Sequence, residues 1–157
     1  MARFFFTISI YFLVFPTLFA QPAHQGELAL ADLQEVITPN YIKRYFKDRK
    51  PFTGTTYDSN EKYQTILIHE LKNGYIQKVE GWKFSGAKER VYHFKDGLPH
   101  GTLTAFYENG QKYFEEHYVE GLQHGKQYGW YEDGSLRIAQ EFVYGAEVTY
   151  QKYPKPV

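Results

Sequence analysis

From Tyr41 onward, apolar and polar positions alternate along most of the chain, and glycines punctuate the alternation at regular intervals. "TLTAFY" (102 to 107) and "KYFEEHYV" (112 to 119) place large residues at every second or fourth position, the period of a strand with one apolar face. Asn109-Gly110 separates these two runs, and Asp133-Gly134 separates the next pair. Such a dipeptide is a strong hairpin signal, because glycine accepts positive φ without steric cost. The second strands close at Asp96-Gly97 and Glu120-Gly121, which turn the chain again. The pattern predicts a β-meander of hairpins.

The hairpins are copies. "DGLPHGTLTAFYENGQ" (96 to 111) aligns with "EGLQHGKQYGWYEDGS" (120 to 135) at a period of 24. Gly97, Leu98, His100, Gly101, Tyr107, Glu108 and Gly110 recur at Gly121, Leu122, His124, Gly125, Tyr131, Glu132 and Gly134. Worn copies lie upstream, giving units of about 51–73, 74–96, 97–120 and 121–145. A fixed period of this length marks a stacked array whose units need their neighbours. "EVTY" (147 to 150) alternates well enough to cap the array before Pro154 and Pro156.

Parity predicts the register. Trp82, Phe106 and Trp130 in the first strands, and Phe94, Tyr118 and Phe142 in the second, all carry even numbers. A three-residue loop with glycine as a left-handed bulge would pair even with even and place both aromatic ladders on one buried face. Gly81, Ala105 and Gly129 would leave room for the first ladder. The opposite face would carry Leu103, Tyr107, Tyr131, Glu115, His117 and Glu141; Tyr107, Tyr131, His117 and Glu115 are the candidate binding residues on it.

The N-terminal part differs. "MARFFFTISIYFLVFPTLFA" (1 to 20) has one basic residue, an apolar run and a small residue before Gln21, the order of a secretory signal peptide. The alternative is an uncleaved membrane anchor, for which the apolar stretch is at the lower length limit. The expected location is therefore exported, periplasmic or secreted. Residues 21–50 form a polar N-terminal segment. Leu30, Leu33 and Ile37 stand at helical spacing and predict a short helix ending before Pro39. Lys43, Arg44, Lys47, Arg49 and Lys50 read as a basic edge strand kept soluble by charge.

Composition narrows the chemistry. Eighteen basic and eighteen acidic residues balance, which argues against a nucleic-acid partner held by net charge. There is no cysteine, so neither disulfide nor thiolate site exists. Fifteen Tyr and thirteen Phe suit pleated, half-buried surfaces and lean the chain toward β. His100 and His124, and the 24-spaced His69, His93 and His117, suggest a metal, but duplication alone copies histidines. Glu115 with Glu116, and Glu108 with Glu132, are the carboxylate pairs available for hydrolysis. No nucleophile elbow or phosphate loop is present. The reading is no catalytic residue, no metal and no cofactor.

"KDGLPHGTLTAFYENGQK" and "EGLQHGKQYGWYEDGSL" resemble the MORN repeat variant, and "KPFTGTTYD" (50 to 58) resembles the segment that precedes such repeats in YwqK-type antitoxin-like proteins. The likeness covers about 50–145; Gln77 and Lys83 depart from it. It implies an all-β fold, an elongated twisted antiparallel sheet of repeated hairpins, and a non-catalytic protein-binding or scaffold module. A protein partner is expected, with a membrane surface as a further contact. An antitoxin-like protein binding a toxin, and a glycan-binding protein or hydrolase of a cell-wall polymer, are the alternatives.

Overall fold

A computed structural model describes residues 28–157; the signal segment lies outside them. The described chain is all-β, with antiparallel sheets of consecutive hairpins. Its strands are β1 (Gln34–Ile37), β2 (Lys43–Lys47), β3 (Lys50–Pro51), β4 (Gly54–Asn60), β5 (Thr65–Lys72), β6 (Tyr75–Lys83), β7 (Lys88–Lys95), β8 (Leu98–Phe106), β9 (Lys112–Val119), β10 (Leu122–Gln123), β11 (Gly125–Trp130), β12 (Leu136–Val143) and β13 (Ala146–Lys152). Strands β1, β2 and β3 make a small sheet, and β4 to β13 make a ten-stranded sheet that follows chain order.

Two kinds of turn alternate, each set by its glycine. Asp96-Gly97, Glu120-Gly121 and Tyr144-Gly145 have φ of 49 and 81, 49 and 85, and 46 and 85°. Positive φ at both positions makes these two-residue type I′ turns, whose twist matches that of the strands. Gly86, Gly110 and Gly134 close the other kind. Gly110 N–H donates to the Tyr107 carbonyl (3.0 Å) and Tyr107 N–H to the Gln111 carbonyl (2.8 Å). The loop thus holds three residues, with Gly110 left-handed at φ 83°, as the parity argument expects.

The register beyond that loop differs from expectation. Phe106 faces Lys112, but Ala105 already faces Phe114, so Tyr113 is an extra bulged residue. The same slip follows Trp82 and Trp130, where Glu89 and Arg137 are the extra residues. One added residue inverts the alternation. The two aromatic ladders therefore lie on opposite faces. Phe94, Tyr118 and Phe142 share the front face with Leu71; Trp82, Phe106 and Trp130 share the back face with Thr104, Glu115 and His117. Phe106 is half-buried, not buried. Gly81 and Gly129 make room on the front: a Cβ there would meet Arg90 Cγ or Ile138 Cγ2 at 2.7 Å.

The N-terminal helix is also corrected. Only one 3₁₀ turn forms, at Leu30–Asp32, and the next residues are β1. Adjacent β-branched Val36 and Ile37 favour a strand, and β1 finds a partner in β2, with Glu35 opposite Tyr45 and Val36 opposite Arg44. Leu33 still reaches the interior, whereas Ile37 is exposed. The basic strand β2 is central in its sheet, not an edge. Lys43 pairs with Glu35 at 3.1 Å, and the Arg44 guanidinium lies 5.2 and 5.0 Å from the Phe46 and Tyr75 rings. The compact core sits here. Leu33, Tyr45 and Leu71 are buried, with Leu28, Leu30, Phe52 and Ile76 against them.

Candidate binding surfaces

The repeated tyrosines hold the array together. Tyr107 Oη donates to the Trp130 carbonyl at 2.9 Å, and Tyr131 Oη to the Tyr153 carbonyl at 3.0 Å. Asn109 Nδ2 adds a bond to the Glu132 carbonyl at 2.8 Å. The first loop is thereby tied to the next one, and the second to the segment that follows β13. The degenerate unit has Lys83 at the tyrosine position, and Lys83 pairs instead with Glu89 at 3.4 Å.

The histidines have structural partners too. Nδ1 of His100 accepts from Glu120 N–H (3.4 Å), and Nδ1 of His124 accepts from Tyr144 N–H (3.3 Å). Both donors belong to the first left-handed residue of a type I′ turn, so this recurrent histidine caps the next turn. The other series divides. His93 and His117 are on the back face and donate Nδ1–H to the Thr102 and Lys126 carbonyls at 2.9 and 2.7 Å. His69 is buried on the front, with Nδ1 3.6 Å from Asp58. Burial lowers its pKa below the ordinary histidine value; Asp58 opposes that shift without overcoming it. Among the described residues, no three His, Asp or Glu side chains gather to hold a metal.

The four candidate binding residues do not share a face. Tyr107 and Tyr131 lie toward the front, and Glu115 and His117 toward the back, as the slip at Tyr113 requires. The carboxylate pairs do not converge either. Glu115 contacts Lys112 on the back, whereas Glu116 accepts the Tyr118 hydroxyl on the front at 2.9 Å. Burial, reinforced by Glu116, pushes the Tyr118 phenol up to about 12. Glu108 and Glu132 occupy exposed turns.

Among the described residues two surfaces carry no packed element. One is the back face along the ends of β6 to β11. Trp82 faces Lys88, Phe106 faces Lys112, and Lys112 Nζ lies 5.7 Å from the Trp130 ring centroid. Aromatic and lysine side chains thus alternate over five neighbouring strands. The sequence carried a signal for this row, since Lys88 and Lys112 are themselves 24 apart, but only the bulges reveal that they stand beside the rings. The other surface is the outer edge of β13, every residue of which is exposed. Among the described residues no helix is long and apolar enough to cross a membrane. No family model matches the sequence, and a search of curated proteins finds no match.

Proposed function

We propose that the chain is a non-catalytic repeat protein of the bacterial cell envelope, similar to the MORN repeat variant, that docks a protein partner by strand addition. The observation that carries this reading is the unlike state of the two sheet edges. At β4 the chain itself covers the middle of the edge: Tyr57 N–H donates to the Leu28 carbonyl at 3.0 Å, and Leu30 N–H to Asp58 Oδ1 at 3.2 Å. At β13, seven residues run along the opposite edge with no strand beyond them among the described residues. An exposed edge is a template for a further strand, with backbone groups supplying affinity and alternate side chains supplying selectivity. Val148 and Tyr150 are exposed and offer the apolar contacts. An antitoxin-like pairing with a toxin is a special case of the same contact.

The test uses a photo-cross-linker on a cysteine placed at Gln151 of the full chain, which has no native cysteine. Cross-linking in native cells is expected to capture one envelope protein. Tyr153 N–H donates to the Arg137 carbonyl, so by alternation Thr149 and Gln151 bond inward to β12 and Tyr150 N–H points to the open edge. Tyr150→Pro is expected to abolish the capture while leaving the far-ultraviolet spectrum unchanged. Capture unaffected by Tyr150→Pro would defeat the edge as the contact. N-terminal sequencing of the exported protein is expected to begin at Gln21.

A further inference from the structure

We propose that the back-face row Trp82–Lys88–Phe106–Lys112–Trp130 is a binding platform for an uncharged β-1,4-linked pyranose chain. This goes beyond the edge contact above and uses a different surface. Three observations carry it. The first is periodicity: the rings stand on every second strand, and two strand spacings come to about 9.5 Å. A β-1,4-linked ribbon presents the same sugar face at every second residue, over a repeat of similar length. A flat apolar ring face and the C–H face of a pyranose are complementary surfaces, so a repeating protein meets a repeating ligand in step.

The second observation is charge. Lys88 Nζ lies 3.5 Å from Glu80, and Lys112 contacts Glu115. Lys78, one row away, is shared between Glu70 and Glu80 at 3.2 and 3.0 Å. Burial raises the Glu80 pKa, but Lys78 and Lys88 outweigh it and hold the carboxyl below its usual range. Each lysine of the row is therefore already neutralised, which leaves no excess positive charge for a polyanion. Paired ammonium and carboxylate groups beside the rings instead supply donors and acceptors for hydroxyls. Lys88 Nζ lies over the Trp82 ring, 4.5 Å from its centroid, so a sugar seated on that face displaces the ammonium, which then donates to a hydroxyl of the same sugar.

The third observation is rigidity. The Tyr107 bond to the Trp130 carbonyl fixes the distance between the Phe106 strand and the Trp130 strand before any ligand arrives. Among the described residues the small sheet packs on the front face, around Leu71 and Ile76, and the three rings of the row are half-buried on the other face.

Trp82 and Trp130 are the two tryptophans of the chain, so their fluorescence reads the row directly. Cellohexaose or chitohexaose added to the full chain is expected to give a saturable emission shift. Cellobiose, which spans one ring, should bind far more weakly. Maltohexaose, whose α-linkage does not keep a flat ribbon, should give none. Phe106→Leu keeps an apolar residue in place and is expected to weaken hexamer binding roughly fivefold; Phe106→Ala should weaken it further, with circular dichroism confirming the fold of both. The proposal is overturned if neither β-linked hexamer shifts the emission. An equal response to maltohexaose, a response confined to a sulfated polyanion, or unchanged affinity in Phe106→Leu would overturn it as well. Cross-linking at Gln151 is unaffected by any of these results, so the two readings stand or fall separately.

Discussion

A histidine that accepts from a turn amide acts through geometry, and its removal should be felt as stability. His124→Ala leaves Tyr144 N–H, at φ 46°, without that partner. Because the turn is exposed, water replaces the bond in part, and the expected loss is about 0.5–1 kcal/mol. A denaturant titration measures it, and a loss near zero would remove the capping role. Tyr107→Phe deletes one hydroxyl that joins two loops, at an expected cost of about 1 kcal/mol with no change in fold. Buried His69 sets a pH dependence. Its folded pKa lies below the unfolded value of about 6.5, so the unfolded chain takes up the proton first as pH falls. The stability from keeping this ring neutral is complete above about pH 6.5 and is lost as pH falls through the folded pKa. Thermal midpoints should drop over that acidic interval, and His69→Leu should flatten the drop. A wild-type profile that rises toward acid would contradict the sign.

Turns show which parts of an element a sequence can specify. Asp96-Gly97 and Glu120-Gly121 are legible because two successive positive φ values leave few residue choices, and Asn109-Gly110 is legible because its loop needs one left-handed residue. The slip at Tyr113 is not legible. A bulge residue needs no special φ/ψ signature that tyrosine, arginine or glutamate would betray, and Glu89, Tyr113 and Arg137 have nothing in common but their place. That single residue decides whether Phe106 joins Tyr118 or opposes it, so alternation alone puts Tyr107, Tyr131, Glu115 and His117 on one face although the structure divides them between two. The N-terminal helix failed for a related reason. Leu30 and Leu33 have a spacing that a 3₁₀ turn entering a strand satisfies as well as a helix does. Glycines test the distinction between strain and space. Gly110→Ala meets no atom within 4 Å and should cost only the left-handed penalty, about 1 kcal/mol. Gly129→Ala has no such penalty but places a methyl 2.7 Å from Ile138 Cγ2. Ile138→Ala deletes that Cγ2, so relative to Ile138→Ala alone the second loss should shrink and the first should not, as paired denaturation curves would reveal.

At the scale of the molecule, the ten-stranded sheet is covered by packed chain mainly at one end. Leu33, Tyr45 and Leu71 form one cluster beside β2, β5 and β6, whereas Phe142 is the buried hydrophobic residue at the far end. Each strand of the array mainly touches its neighbours, so stability should be close to a sum of local terms and need not be shared evenly. The two tryptophans stand at useful places, Trp82 on β6, the strand that carries Ile76 of the cluster, and Trp130 on β11, several strands further along the sheet. Trp130→Phe leaves Trp82 as reporter, and Trp82→Phe leaves Trp130. Tyr45→Ala in each background removes a buried ring from the N-terminal cluster, a change of about 3–5 kcal/mol by the usual cost of large-to-small core substitutions. In a quasi-one-dimensional array, the Trp82 transition should move to lower denaturant by most of that amount, and the Trp130 transition by much less. If both midpoints move together and by equal amounts, the sheet unfolds as one cooperative unit, and the additive picture of the array fails.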